Sequence, residues 1–332
     1  MLTRSQTLRR SQFPKNPPQA GFVFLLAILT SGCLLTRIPT HPVEIPRQAQ
    51  PRQTLKVSLT PTCTPDLTQT PTSTQTAEEP ESSSISETPP ISLTSTPTMG
   101  VVRDVIGISV EGRPLEVYGF GSGPEQLMIV AGIHGGYEWN TIALADELIA
   151  YLQAHPEVIP PSKTLFILRN LNPDGEAADH GPDGRANAHG VDLNRNFPLN
   201  WQQDWRRSGC WQLRALTAGT SPASEPETQA LMTFIEAHPN LRALISYHSA
   251  GLGIFPGGIP LDLKSIRLAE SLAAVSSYKY PPVDTGCFYT GQLISWVAAQ
   301  GIAAVDIELT NHHDTDFEIN LKVLEAFLMF EP

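Results

Sequence analysis

Gly132-Ile133-His134-Gly135-Gly136-Tyr137-Glu138-Trp139-Asn140 is the stretch around which the chain is organised. The residues before it, Gln126-Leu127-Met128-Ile129-Val130-Ala131, are an apolar run bounded by turn residues and read as a buried strand. After it, residues 141–152 carry Ile142, Leu144, Ala145, Leu148, Ile149 and Leu152 at helical spacing. A histidine and a glutamate therefore stand at a strand-to-helix turn, beside glycines that permit an unusual backbone. The end of a parallel strand is where open α/β sheets place their sites. Imidazole with carboxylate suits a catalytic zinc, which takes three protein ligands and keeps one position open. A hydrogen-bonded histidine beside a helix-N-terminal glutamate, favoured by the dipole, accounts for the same residues. This stretch alone does not separate the two.

Further along, the pattern alternates. Residues 106–118 read as a hairpin around Glu111-Gly112-Arg113-Pro114, and residues 163–170 as a strand ending in the turn Asn172-Pro173-Asp174-Gly175. A loop from about 175 to 223 is too long to be structureless in a compact domain unless it is functional. Ser224-Glu225-Pro226-Glu227 has the form of a capping box and opens a helix through Leu231, Phe234 and Ile235. Residues 241–247 form a strand ending at His248, and 303–307 a strand ending at Glu308. Helices are expected over 266–275, 293–299 and 315–330. This alternation predicts an α/β domain with a mixed, largely parallel central sheet flanked by helices. Three strands thus end in His134, His248 and Glu308, candidates for a metal and a carboxylate at equivalent places.

The 332 residues carry a net charge of -11, with 22 Lys+Arg against 33 Asp+Glu, which argues against a nucleic-acid partner. Residues 1–20 hold Arg4, Arg9, Arg10 and Lys15 with no acid, and are followed by the apolar Gly21-Phe22-Val23-Phe24-Leu25-Leu26-Ala27-Ile28-Leu29 and by Thr30-Ser31-Gly32-Cys33. Residues 1–33 have the pattern of an export signal, and the apolar core falls short of the roughly 20 residues that span a bilayer. It resembles a bacterial lipoprotein signal in which Cys33 becomes the lipidated first residue, although Thr30 stands where that motif has Leu. A plain cleaved signal and an uncleaved anchor are the competing readings. Residues 34–99 are rich in Ser, Thr and Pro and poor in large apolar residues, so they are expected to form a disordered tether. Residues 100–332 then make the folded domain, exported and held at the outer face of the membrane or the cell surface. With Cys33 and Cys63 set aside, Cys210 and Cys287 are candidates for a disulfide, whose pairing the sequence does not determine.

Residues 106–114, the His134 turn, Arg185-Ala186-Asn187-Ala188-His189-Gly190-Val191-Asp192-Leu193-Asn194-Arg195-Asn196-Phe197, Ser224-Glu225-Pro226-Glu227-Thr228, Ser246-Tyr247-His248-Ser249 and Asp306-Ile307-Glu308-Leu309 stand in this order along the chain. On these motifs, over nearly all of 100–332, the chain resembles the zinc carboxypeptidase family. Within the family it looks most like the small bacterial branch that includes murein-peptide amidases. The resemblance implies one zinc bound by His134, Glu138 and His248. It makes Asp192 the acceptor that fixes the tautomer of His134, Glu308 the base and Arg185 the oxyanion partner. Asn194 and Arg195 would grip a free substrate carboxylate. The implied activity is hydrolysis of an amide next to a free carboxylate in a peptide or muropeptide. A general carboxypeptidase and an inactive surface module that only binds peptides are the alternatives, and a full ligand set with Glu308 argues against the inactive module.

Two features depart from the family pattern, and a third residue bears on specificity. The family spaces its first ligands as His-x-x-Glu, whereas Tyr137 makes this pair His134-x-x-x-Glu138. Either the turn absorbs one residue or the ligation is altered; the first is expected, because Asp146 and Glu147 lie about two turns into the helix. Cys287 falls where the family has a tyrosine over the substrate, with Tyr289 two residues away as the substitute. Ile294 falls at a specificity position and implies an apolar or small leaving residue. The other histidines of the folded domain, His155, His180, His189, His238, His312 and His313, read as solvated. Trp201, Trp205 and Trp211, with Arg206 and Arg207, either line a cleft or pack the long loop.

Overall fold

The computed structural model describes residues 101–204, 210 and 213–332. The export signal, the tether, Cys33 and Cys63, and Trp205, Arg206, Arg207 and Trp211 lie outside the described residues.

Among the described residues, seven strands form one sheet in the order β1-β2-β4-β3-β5-β7-β6. They are β1 (Val102–Ile108), β2 (Pro114–Gly121), β3 (Glu125–Val130), β4 (Lys163–Leu168), β5 (Leu241–Ser249), β6 (Ile254–Pro256) and β7 (Ala303–Leu309). The central pairs β4/β3, β3/β5 and β5/β7 are parallel. The edges are antiparallel: the β1/β2 hairpin with its β2/β4 pairing, and β6 against β7. The sheet is mixed as expected, with parallel pairing confined to its middle. The short β6 was not legible because three residues carry too little period to stand out.

Helices α1 (Trp139–Ala154), α4 (Leu263–Ala273) and α6 (Phe317–Leu328) cover one face, and α3 (Pro226–Glu236) and α5 (Leu293–Ala299) the other. The short α2 (Pro173–Ala178) follows β4. Strand side chains divide between the layers with period two. Leu127, Ile129, Ile245, Val305 and Ile307 pack with α1, α4 and α6. Met128, Val130, Leu244 and Ala304 pack with α3 and α5. Ser246, His248, Asp306 and Glu308 continue this second set towards the strand ends, so the parity of the strands sets which face carries the polar residues.

The capping box does not form. Ser224 Oγ bonds the Glu225 carboxylate, and α3 has no side-chain cap. Its acids serve the long loop instead. Asn187 Nδ2 donates to Glu225 Oε2 at 2.7 Å and to Glu227 Oε2 at 3.1 Å, while its Oδ1 accepts from the backbone of His189 and Val191. These bonds hold the turn that leads into Asp192. Trp201 donates from its indole to Ala218 O at 2.8 Å, which packs the loop onto the domain. Cys210 and Cys287 form a disulfide with Cα atoms 4.7 Å apart.

Candidate active site

The His134 turn is a short 3₁₀ segment, Gly135–Glu138, between β3 and α1. Gly135 has a φ of 47°, and a Cβ there would lie 2.7 Å from Gly184 O; at Gly136 it would lie 2.1 Å from Asp179 O. Side chains at these two places would collide with backbone, so glycine is what lets the turn close. The turn absorbs the additional residue and delivers Glu138 to the same place as His134. Their ring Nδ1 and Oε1 are 2.8 Å apart.

His248, from the end of β5, completes the group. Its Nδ1 lies 3.2 Å from His134 Nδ1 and 3.1 Å from Glu138 Oε2. The three residues are buried and bring donor atoms all within 4.8 Å of one another, the one such group among the described residues. Two ring nitrogens facing each other with a carboxylate closing the triangle form a donor set that a cation satisfies. The outer ring atoms are supported from behind. His134 Nε2 meets Asp192 Oδ1 at 3.1 Å, and His248 Nε2 meets Ser246 Oγ at 3.2 Å and Asp306 Oδ1 at 3.4 Å. A carboxylate behind an imidazole fixes which nitrogen faces the metal.

Arg185 ties this group together, with Nε 3.1 Å from Asp192 Oδ2 and Nη1 3.2 Å from Glu138 Oε1. Burial works against the charge of Asp192, but the Arg185 guanidinium and the His134 ring hold it well below the usual carboxylate range. Glu138 is likewise held well below that range, because the two imidazoles more than offset its burial. Glu308 behaves oppositely. Burial and then the Glu138 charge push it up to about 8, and its Oε2 has no hydrogen-bond partner among the described residues. A cation in the adjacent donor set is what would favour its ionised form at neutral pH.

These residues open into one cavity of about 320 Å³, also lined by Asn194, Arg195, Tyr289 and Asp306. Arg195 is buried, with its guanidinium 5.3 Å from the centre of the Tyr289 ring. Asn194 accepts from Leu293 N at 2.9 Å, and Phe197 N donates to Gly291 O at 3.0 Å, so the 289–293 segment docks on the 194–197 stretch. Tyr289 therefore faces the cavity, whereas Cys287 is in the disulfide. Ile294 is buried in the core of the second face and is not among the residues that line the cavity. The apolar leaving residue inferred from it loses its basis.

His312 differs from the solvated reading. It is half-buried at the cavity wall, accepts or donates at 2.9 Å to Ser249 Oγ, and packs against the Tyr137 ring at 4.9 Å. Asp306 was also missed. Its signal was present in Asp306-Ile307-Glu308, where strand period two puts both acids on one face.

The zinc carboxypeptidase family profile matches residues 97–321, and the chain belongs to that family. Its His134, Glu138 and His248 are the zinc ligands. Mouse carboxypeptidase A2 is 30% identical over 235 residues, covering 61% of this chain and 56% of that protein. Bovine carboxypeptidase A1 is 29% identical over 239 residues, covering 59% and 54%. The chain thus spans about half the length of the curated relatives it matches. Among solved structures, bovine thrombin-activatable fibrinolysis inhibitor in complex with tick carboxypeptidase inhibitor superposes with a TM-score of 0.56 at 22% identity, covering 70% of this chain and 88% of that one. Murein-tripeptide amidase MpaA from Escherichia coli O157 gives a TM-score of 0.49 at 26% identity, covering 69% and 92%.

Proposed function

We propose that the protein is a metallocarboxypeptidase that hydrolyses the amide bond next to a free carboxylate in a peptide. One observation carries this reading: a His-Glu-His donor set and its neighbouring Glu308 share a cavity with a buried arginine. Zinc held by His134, Glu138 and His248 would supply a Lewis acid for the scissile carbonyl. The chain's own residues do the rest. Arg195 and Asn194 hold the terminal carboxylate and so place the last peptide bond over the donor set. Glu308 takes a proton from the attacking water, whose oxygen adds to the carbonyl carbon. Arg185 faces the developing oxyanion. The C–N bond then breaks, and Glu308 returns the proton to the leaving amine. The products are a shortened peptide acid and a free amino acid.

The test compares matched peptides that differ only in a terminal carboxylate or carboxamide. Charge-assisted, bidentate bonds are stronger and more directional than neutral ones. The acid should therefore be cleaved with a kcat/KM higher by on the order of 10² or more, since breaking such a pair in a desolvated site costs roughly 2–5 kcal/mol. Arg195→Ala should remove most of that advantage, and amidation of the substrate should then add little. Equal rates on acid and amide would remove the exopeptidase assignment.

Cell-wall peptides are the natural substrate we favour within this class. An exported chain with a lipidated Cys33 places the domain among them, and a digest of muropeptides beside ordinary peptides, read by mass spectrometry, decides between the two. Cys33→Ser is expected to abolish lipid labelling and release the protein from membranes. Wild-type protein free in the cytoplasm would refute export.

A further inference from the structure

Tyr137, the residue by which the His134 turn exceeds the family spacing, lines the cavity together with His312. Their rings pack at 4.9 Å, and the Arg185 guanidinium lies 5.8 Å from the centre of the Tyr137 ring. The proposed chemistry uses neither residue. His312 is held from behind by a chain of hydrogen bonds whose direction is fixed. Asn140, buried at the start of α1, donates both amide protons, to Asn311 O at 2.7 Å and to Asp314 O at 3.0 Å. Its Oδ1 is left to accept, and the Ser249 hydroxyl donates to it at 3.0 Å. A hydroxyl has one proton, so towards His312 the Ser249 Oγ can only accept, and Nδ1, 2.9 Å away, carries the ring hydrogen. In the neutral imidazole the other nitrogen, Nε2, is then a bare acceptor. Burial, against the Glu138 charge, holds the His312 pKa below the ordinary histidine value, so the neutral ring prevails at neutral pH. Nε2 has no hydrogen-bond partner among the described residues, and the cavity that His312 lines is the space left to it.

The two walls of the cavity come from opposite faces of the sheet. Arg195 and Tyr289 belong to segments anchored by Phe197 and Leu293 in the core under α3 and α5. Asn140 belongs to α1, and the 311–314 loop leads into α6, both on the other face. The donor set stands between: Asn194 meets His248 Nε2 at 3.3 Å on one side, and Tyr137 adjoins Glu138 in the turn on the other. A peptide held by its carboxylate at Arg195 and by its last carbonyl at the donor set thus runs on towards Tyr137 and His312. The first polar group it presents beyond that carbonyl is the N–H of the residue on the acyl side. A bare ring nitrogen matches that donor.

We propose that His312 is a substrate-binding residue whose Nε2 accepts a hydrogen bond from the N–H of the residue on the acyl side of the cleaved amide, with Tyr137 bracing the ring. This rests on the carboxypeptidase reading for the direction in which the peptide lies. The zinc-loaded full-length protein is assayed on acetyl-alanyl-phenylalanine and on acetyl-lactyl-phenylalanine, in which oxygen replaces that one N–H and the cleaved amide is untouched. The wild type should favour the alanyl substrate about tenfold or more in kcat/KM, since a half-buried acceptor left without its donor is costly. His312→Phe keeps a ring against Tyr137 but no nitrogen, and should bring the ratio towards one. His312→Gln, which can present an oxygen, should restore part of it. Binding of the same pair to the zinc-loaded Glu308→Gln protein, by calorimetry, reads the contact without turnover. An alanyl preference in binding with no hydrolysis of either substrate by the wild type upholds the His312 contact and removes the hydrolase reading. Hydrolysis of both with equal kcat/KM overturns the His312 proposal and leaves the hydrolase reading standing. Should His312→Phe lower both substrates in parallel with their ratio unchanged, the residue only braces Tyr137 and Ser249, and the proposal is overturned.

Discussion

Glu308→Gln is expected to keep its zinc and its substrate affinity while kcat falls on the order of 10²–10⁴-fold, the range that a positioned general base contributes. The amide has nearly the shape of the carboxylate but cannot accept the proton of the attacking water. The fold has little reason to react. The backbone of Glu308 is held by β7, with its N donating to Gly253 O at 3.0 Å, and its Oε2 makes no hydrogen bond among the described residues. Removing the charge also relieves the repulsion from Glu138 that, after burial, raises this group. Thermal stability should therefore stay the same or rise. Zinc content by atomic absorption, with kcat and KM on a carboxylate-ending peptide, checks the result. Near-normal turnover in a zinc-replete variant would mean that Glu308 is not the base.

The second large effect is metal loss. His248→Ala should lose both zinc and turnover, and affinity should fall by more than the roughly 10–100-fold that follows loss of a supporting hydrogen-bond partner. The ring contributes one of the three clustered donors, so two remain. The variant also leaves Glu138 and Asp306 without the imidazole both now face at 3.1 and 3.4 Å. Breaking a buried pair by removing one partner is destabilising by about 3–5 kcal/mol, so circular dichroism must accompany the zinc titration. A folded variant that keeps wild-type zinc affinity would exclude His248 as a ligand. Full activity in metal-free wild type would remove the metal reading as a whole.

Much of this site was legible residue by residue. The strand before His134, the helix after it, and the strand ends at His248 and Glu308 follow from hydrophobic period, because a half-buried strand and a one-sided helix leave that trace in composition. The family motifs then named Asp192, Arg185, Asn194 and Arg195. What the motifs did not carry was packing. Ser224 to Glu227 looked like a capping box, yet those acids accept from Asn187 and Val110 in distant loops. Ile294, aligned without gaps to a specificity position, is buried in the core of the second face.

By itself, the sequence determined the alternation of strands and helices, the two histidines and the two glutamates of the site, and the family to which the chain belongs. Each depends on local period or on a contiguous motif. Tertiary structure alone decided that the additional Tyr137 is absorbed by a 3₁₀ turn, that Cys210 pairs with Cys287, and that Tyr289 lies beside Arg195. It also decided that Asp306 shares the cavity with Glu308 while Ile294 does not. The physical reason is common to all of these. Which side chains meet depends on strand register and on how loops dock across the sheet, and those contacts join residues too far apart in the chain for any local pattern to record them.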